Sequence, residues 1–197
     1  MDIINPPDDP IGLFNDWLQQ AGEKEINDPN AMALATVDKE GRPSVRIVLL
    51  KGITDGNFIF FTNLESRKGN DLKFNCHVAL CFYWKSLRLQ VRIEGIVERV
   101  SDAEADAYFA TRPVGARIAA WASQQSRPLN DRSQLEEALA AYSLKFGDEK
   151  VPRPPYWSGF RVIPQEIEFW EEQPFRLHHR LVYTRDGSTW KTKTLYP

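Results

Sequence analysis

From Leu87 to Glu94 the chain alternates without a break between apolar and polar side chains. In an extended backbone Leu87, Leu89, Val91 and Ile93 share one face, and Arg88, Gln90, Arg92 and Glu94 share the other. A repeat of two belongs to a strand, and this one predicts an antiparallel strand with one face on a core and one on water. Such a strand needs partners, because a lone ribbon cannot bury its own apolar face. The chain supplies several. Residues 32–37 and 44–50 flank the turn Lys39-Glu40-Gly41-Arg42-Pro43, and residues 58–62 follow the turn signal Asp55-Gly56. Residues 78–84 precede the alternating run, which extends to 97, and strands return at 159–162 and 167–170. Residues 181–184 and 190–195, around Asp186-Gly187, read as a final hairpin.

Helices are signalled between these strands. Asp9 caps a first helix, Pro10 suits its first position, and Phe14, Trp17, Leu18 and Ala21 form its apolar stripe. A short helix starts at Ser66, and Ser101 with Glu104 forms a capping box for a helix that Pro113 ends. A further helical piece covers 117–123, and Asp131 with Gln134 suggests another box, leading into Leu135, Leu139 and Tyr142. Residues 151–155 are a proline-rich connector. Many short antiparallel strands with interspersed helices predict one α+β domain over residues 1–197, built on a small barrel, with residues 1–8 as a flexible arm.

The net charge of -2 and pI near 6.0 give no general attraction to nucleic acid or to an anionic membrane. Any anion site must therefore come from local clusters of Arg and Lys. No apolar run approaches the ~20 residues that span a bilayer, and the acidic, proline-rich start does not resemble a signal peptide. Two cysteines, Cys76 and Cys81, fit a reducing cytoplasm, and too few ligands lie near Cys76-His77-Cys81 for a metal site.

Four cationic features stand out. Arg46 and Lys51 frame one strand, but alternation puts them on opposite faces, so a shared site needs a bulge, the strand end or a second subunit. Ser66-Arg67-Lys68-Gly69 opens a helix, where free N–H groups and the positive dipole end suit a phosphate. Tyr108 and Arg112, four residues apart, share a helix face from which a phenol and a guanidinium can grip one anion. After Trp170, the run Arg176-Leu177-His178-His179-Arg180 would put Arg176, His178 and Arg180 on one face if extended. Each feature also fits an ordinary solvated surface. No nucleophile motif, Walker loop or Gly-x-Gly-x-x-Gly accompanies them, a pattern suited to a site where a phosphorylated cofactor carries the hard chemistry.

Taken in order, seven segments resemble the pyridoxamine/pyridoxine 5'-phosphate oxidase family. They are Arg-Ile-Val-Leu-Leu-Lys at 46–51, Phe-Thr-Asn-Leu-Glu-Ser-Arg-Lys at 61–68, Gln90 in its strand, Tyr-Phe-Ala-Thr-Arg-Pro at 108–113, Trp-Ala-Ser-Gln-Gln-Ser at 121–126, Ile-Glu-Phe-Trp at 167–170 and Arg-Leu-His-His-Arg at 176–180. The resemblance runs from about Asp9 to Pro197. It implies an FMN-binding split β-barrel with flanking helices, a homodimer with FMN sites at the subunit interface, and a small phosphorylated pyridine as substrate. The activity implied is oxidation of pyridoxamine or pyridoxine 5'-phosphate to pyridoxal 5'-phosphate, with oxygen as acceptor and hydrogen peroxide as product. Residue by residue, it implies FMN contacts from Arg46, Ile47, Val48, Lys51, Phe61, Thr62, Arg67, Lys68, Gln90, Gln125, Ser126, Trp170 and Arg180. Lys51, Tyr108 and Arg112 would meet the substrate phosphate, with Arg176, Leu177 and His178 beside the pyridine ring and Arg176 and His178 in the catalytic role. No metal is implied.

The chain departs from the family pattern at three places. Ala116 replaces a serine that donates to the substrate phosphate, Val114 replaces a cation, and residues 1–8 lack the arm motif that relatives place over the substrate. All three bear on the substrate and none on FMN. Two alternatives stay open: a related flavin oxidase of the phenazine-biosynthesis type with another substrate, and a non-catalytic protein that binds FMN or pyridoxal phosphate.

Overall fold

The computed structural model describes residues 3–147 and 150–197. Helix α1 (Pro10–Lys24) starts where local chemistry demands: Asp9 accepts from the N–H groups of Ile11 at 2.9 Å and Gly12 at 3.1 Å, and Pro10 has no N–H to satisfy. Its stripe is buried, and Phe14 meets Phe58 and Phe82 edge-on at 4.9 and 5.0 Å between centroids.

Nine strands among the described residues build one antiparallel sheet: β1 (Ala31–Val37), β2 (Pro43–Leu49), β3 (Gly52–Thr54), β4 (Asn57–Asn63), β5 (His77–Trp84), β6 (Leu89–Arg99), β7 (Trp157–Glu171), β8 (His179–Asp186) and β9 (Thr189–Thr194). The hydrogen-bonded order is β2-β1-β5-β6-β7-β4-β3, with β8 also on β7 and β9 on β8. Strand β2, at one end of that order, comes against β4 near the other, so the sheet curls into a half-closed barrel whose core takes in the apolar face of α1. Helices α2 (Arg67–Phe74), α3 (Asp102–Thr111), α4 (Val114–Ala122) and α5 (Arg132–Phe146) lie outside it. This is the α+β barrel that the strand pattern predicts.

The alternating run behaves as read, except that the strand begins at Leu89 because Arg88 turns the chain at φ 57°. Leu89, Val91 and Ile93 are buried, while Arg92 and Glu94 are exposed. The Ser101–Glu104 capping box closes in both directions. Asp131 caps α5 through the Ser133 N–H at 2.7 Å, one residue earlier than a box would use.

Two expectations need correction. Residues 159–162 and 167–170 belong to one strand, β7, not two. Gly95 pairs with Pro164 and Glu94 with Glu166, leaving Gln165 as an extra, bulged residue. A bulge accommodates Pro164, which has no N–H for the ladder, and Gly95 stands opposite because any Cβ there would strike the Ile163 carbonyl. The second correction concerns the segment after β7. Pro174–Arg176 forms a 3₁₀ turn in which Phe175 and Arg176 adopt φ of 59° and 63°. An extended run is thereby broken, and Arg176, His178 and Arg180 do not share a strand face. Of the stretch read as an arm, residues 1–2 lie outside the described residues, and residues from Ile3 on lie along the final hairpin: Ile3 is buried, and the buried Tyr183 hydroxyl donates to the Pro7 carbonyl at 2.7 Å.

Candidate active site

Strands β2, β4 and β7 and helices α2, α3 and α4 surround one cavity of about 570 Å³. Its walls carry Arg46, Ile47, Val48, Lys51, Phe61, Thr62, Lys68, Tyr108, Arg112 and Gln125. Arg46 and Lys51 both reach it within a single chain. The parity conflict disappears at the strand end: β2 stops at Leu49, and the Lys51 N–H donates to the Ile59 carbonyl at 2.8 Å in the connection beyond.

The cation side of this cavity is held from behind. Arg46 donates through Nη1 to the Thr36 hydroxyl at 2.6 Å and to the Leu34 carbonyl at 3.0 Å, and through Nη2 to the Ser44 hydroxyl at 2.9 Å. Thr36, fully buried, passes its own proton donor to Asp71 of α2 at 2.6 Å, and Asp71 stands 3.6 Å from Arg46 Nη2. Burial lowers the Arg46 pKa, Asp71 opposes that shift, and the nearby Arg67 adds to it. Helix α2 begins beside this cluster, capped by Ser66, whose oxygen accepts from the Gly69 N–H at 3.3 Å. Gly69 is obligatory in that turn, since any Cβ would collide with the Leu64 backbone.

Lys68 donates to Gln125 Oε1 at 2.8 Å, Thr62 Oγ1 at 3.1 Å and Ser66 Oγ at 3.3 Å, all neutral acceptors. Burial, and then the Arg46 charge, bring its ammonium down to about 8. On the opposite wall, Arg112 has a buried Nη1 with no hydrogen-bond partner. Burial lowers its pKa as well, partly offset by Tyr108. Desolvated cations around one cavity, Lys68 with neutral acceptors only and Arg112 with an unpartnered Nη1, are costly unless an anion joins them.

Between the cations stands an aromatic wall. Phe61 lies parallel to Tyr108 at 4.0 Å and to Trp157 at 5.3 Å, with interplanar angles of 8° and 7°. The Arg112 guanidinium sits 5.0 Å from the centroid of the Trp157 ring. Gly159, paired with Phe61 across the ladder, makes this possible, because a Cβ there would come within 2.7 Å of the Phe61 ring. Helix α4 contributes Ala116, Ala119 and Ala120, so its wall is smooth and without donors.

The remaining expected residues lie elsewhere in the chain. Gln90, Trp170 and Arg180 form a row in register across β6, β7 and β8. Beneath them, Glu168, only 4% exposed, accepts from Arg180 at 2.7 Å and pairs with Arg92 at 3.2 Å. The His178 ring packs on Trp170 at 4.6 Å, and its Nδ1 accepts from the Gln173 N–H at 3.2 Å. Arg176 and Leu177 lie beside it on an exposed turn. Trp157 and Trp170 are separated by about 40 Å of strand contour at ~3.3 Å per residue, so this second cluster sits far along β7 from the cavity. Arg67 and Ser126 line a shallow polar groove with Glu65, Lys73 and Arg127, next to the cavity but outside its walls.

Comparison with known proteins gives this arrangement its context. Residues 18–170 match the family model described as pyridoxamine 5'-phosphate oxidase, and residues 157–197 match that of the pyridoxine 5'-phosphate oxidase C-terminal dimerisation region. The chain belongs to the pyridoxamine 5'-phosphate oxidase family. The pyridoxine/pyridoxamine 5'-phosphate oxidase of Rhodospirillum rubrum is 60% identical over 194 residues, covering 96% of each chain. That of Gluconobacter oxydans is 58% identical over 195 residues, covering 99% of this chain and 98% of the relative. Among solved structures, PhzG from Burkholderia lata 383 in complex with tetrahydrophenazine-1-carboxylic acid superposes with a TM-score of 0.92 at 37% identity, covering 99% of this chain and 96% of that one. The fold is thus the family's split barrel.

Several residues of this family member's cavity escape a reading of the sequence. Trp157 falls between the proline-rich connector and the strand expected from 159, so neither reading includes it; Asn63 and Ser123 lie within segments of the resemblance but take no role from it, and Ala119 and Ala120 carry no motif. Thr36 and Asp71 lie 35 residues apart and become neighbours only when α2 folds over β1. Among the described residues no cluster of His, Cys, Asp and Glu could hold a metal, and no helix is long and apolar enough to cross a membrane.

Proposed function

We propose that this chain is an FMN-dependent oxidase that converts pyridoxamine or pyridoxine 5'-phosphate to pyridoxal 5'-phosphate, with oxygen as acceptor and hydrogen peroxide as product. The observation that carries this reading is the cavity itself: Arg46, Lys68 and Arg112 converge on it desolvated, with a parallel aromatic wall between them. The set fits FMN. Desolvated cations with no carboxylate on Lys68 suit its phosphate, and Phe61, Thr62 and residues 46–48 border a space of the right chemistry for a planar ring system.

In this reading Arg46, Arg67 and Lys68, at the positive end of α2, hold the FMN phosphate. Ile47, Val48, Lys51, Phe61, Thr62, Gln125 and Ser126 complete the cofactor contacts from the same chain. Lys51, Tyr108 and Arg112 take the substrate phosphate, Arg112 as a half-buried guanidinium on the cavity wall. When bound, FMN supplies the two-electron acceptance from substrate and its return to oxygen. The protein aligns the reacting groups and keeps water out. Gln90, Trp170, Arg176, Leu177, His178 and Arg180 act from the second cluster, and in a homodimer that cluster of one protomer completes the cavity of the other. Arg176 and His178 there orient the pyridine ring and stabilise charge beside it. The same reading takes the enzyme as cytoplasmic.

One observation favours a second reading. The donor-free wall of Ala116, Ala119 and Ala120 would also admit a larger, unphosphorylated tricyclic substrate, as in the PhzG complex. Anaerobic addition of pyridoxine 5'-phosphate to the FMN-loaded protein separates the two. Rapid bleaching of the flavin absorbance, reversed by air with peroxide release, is expected. A spectrum that stays oxidised with this substrate, and bleaches with a dihydrophenazine carboxylate, would replace the first reading by the second.

A further inference from the structure

The connector before β7 reads Val151-Pro152-Arg153-Pro154-Pro155, and Arg153 is anything but a solvated loop residue. Its side chain is only 10% exposed. Nε donates to Asp106 at 2.6 Å, Nη2 to Asp102 at 3.0 Å, and Nη1 to the Trp157 carbonyl at 2.7 Å. One guanidinium thus joins two carboxylates on helix α3 to the first residue of strand β7.

We propose that Arg153 is a positioning residue for phosphate recognition: by tying α3 to the Trp157 backbone, it fixes the Arg112 guanidinium against the Trp157 ring at the cavity wall. The proposal rests on the reading that Arg112 meets the substrate phosphate.

The geometry runs in two directions from Arg153. Along α3, Asp102 and Asp106 lie one turn apart on one face, and Arg112 caps the far end of the same helix, its N–H donating to the Phe109 carbonyl at 3.2 Å. A helix this short is rigid, so holding its first two turns sets where its last residue stands. Along β7, Trp157 is gripped at both backbone groups, its carbonyl by Arg153 and its N–H by the Pro154 carbonyl at 3.0 Å. The Trp157 ring then supports Arg112 at 5.0 Å, and Phe109, edge-on to Trp157 at 4.9 Å, adds a contact beside it at 5.5 Å.

The connector is built to transmit this grip. Proline on both sides removes backbone freedom, and a residue preceding proline is biased to an extended conformation. The Pro152 carbonyl accepts from Trp121 Nε1 at 2.8 Å, which anchors the strut to α4 as well. Helix α3 keeps other anchors, Arg161 to Glu104 at 2.8 Å and Arg99 to Asp102 at 3.2 Å, so it remains folded and attached without Arg153. Asp102 and Asp106 are themselves largely exposed, so these ion pairs add little to global stability. The effect of Arg153 is directional.

The test uses the FMN-loaded enzyme with Arg153→Met, which keeps the aliphatic stem, and Arg153→Lys, which keeps the charge. Misplacing a recognition group by ~1 Å can cost up to ~10²-fold. Arg153→Met is accordingly expected to raise KM for pyridoxine 5'-phosphate, and the inhibition constant of inorganic phosphate, by about tenfold, with kcat within about twofold and FMN affinity unchanged. Arg153→Lys recovers part of that loss. A KM and phosphate inhibition constant that stay put while only Tm falls would overturn the proposal, and so would parallel losses in kcat and FMN affinity. Arg112→Met serves as the reference: if it leaves KM unchanged, the reading of Arg112 fails; if it raises KM while Arg153→Met does not, only the role of Arg153 fails. In the double variant the two effects are expected not to add, because both act through one guanidinium.

Discussion

Lys68 ties FMN affinity to pH with a slope that can be worked out beforehand. In the free protein its ammonium titrates at about 8, well below the ordinary 10.5, because it is buried beside Arg46 with neutral acceptors only. A phosphate dianion at the cavity restores the ammonium, so binding above pH 8 takes up a proton. The phosphate itself loses its second proton at about 6 and contributes no slope above pH 7. With a bound-state value back near 10.5, affinity falls by about tenfold between pH 7 and pH 9, one decade being ~1.4 kcal/mol. Quenching of FMN fluorescence on titration into apoprotein at pH 7, 8 and 9 measures this. Lys68→Met is expected to bind more weakly and to lose the slope. Stability of the apoprotein carries the opposite sign. The folded value lies below the unfolded one, so between about 8 and 10.5 the unfolded chain holds more protons, and Lys68 favours folding more as pH rises. The difference in Tm between wild type and Lys68→Met across that window reports it. An identical pH slope of FMN affinity in Lys68→Met, or no slope in the wild type, would refute the reasoning.

Three other substitutions probe separate parts of the site. Thr36→Val keeps shape but removes the hydroxyl between Arg46 and Asp71; it is expected to cost about 1–3 kcal/mol of stability and to weaken FMN binding several-fold, read by denaturant unfolding and fluorescence titration. Unchanged FMN affinity in a destabilised protein would confine Thr36 to a folding role. Gly159→Ala drives a methyl toward the Phe61 ring and is expected to cost about 1–3 kcal/mol and displace the aromatic wall, visible in the near-ultraviolet dichroism; a variant with wild-type Tm and spectrum would remove Gly159 from that account. Ala116→Ser adds a hydroxyl on the cavity wall and is expected to lower KM for pyridoxine 5'-phosphate, by up to ~10-fold for a bond to a charged group. A rise in KM would place the phosphate elsewhere.

What the sequence announces most clearly is whatever is settled within a few residues. The Asp9 cap, the Ser101–Glu104 box and the alternation after Leu89 need no distant partner, and the structure reproduces each of them. Features that depend on tertiary contact are harder to see. Pro164 reads as a break between strands, yet a bulge carries β7 through it because Gly95 leaves room opposite. Arg176 and His178 seem to share a strand face with Arg180, but Phe175 and Arg176 adopt positive φ without a glycine to signal it. For the site, the cations of 46–51, 66–68 and 108–112 stand out as charged residues in otherwise regular elements. Their supports do not: Thr36, Asp71 and Arg153 are ordinary in sequence, and only the folded chain places them behind Arg46 and Arg112.

The long, bulged strand β7 has a consequence at the level of the assembly. It carries Trp157 at one end, in the cavity, and Trp170 at the other, in the second cluster. If each cluster serves the neighbouring protomer's cavity, every working site is a hybrid of two chains, and every chain spans two sites. Defects at opposite ends of β7 can then rescue each other. Protomers altered only at Arg112, mixed with protomers altered only at Arg176, would form heterodimers with one site carrying both lesions and one carrying neither. Random reassortment from equal amounts would leave about a quarter of all sites whole. Two inactive preparations, unfolded and refolded together, would regain oxidase activity that neither shows alone; a mixture that stays dead would mean that each chain works for itself.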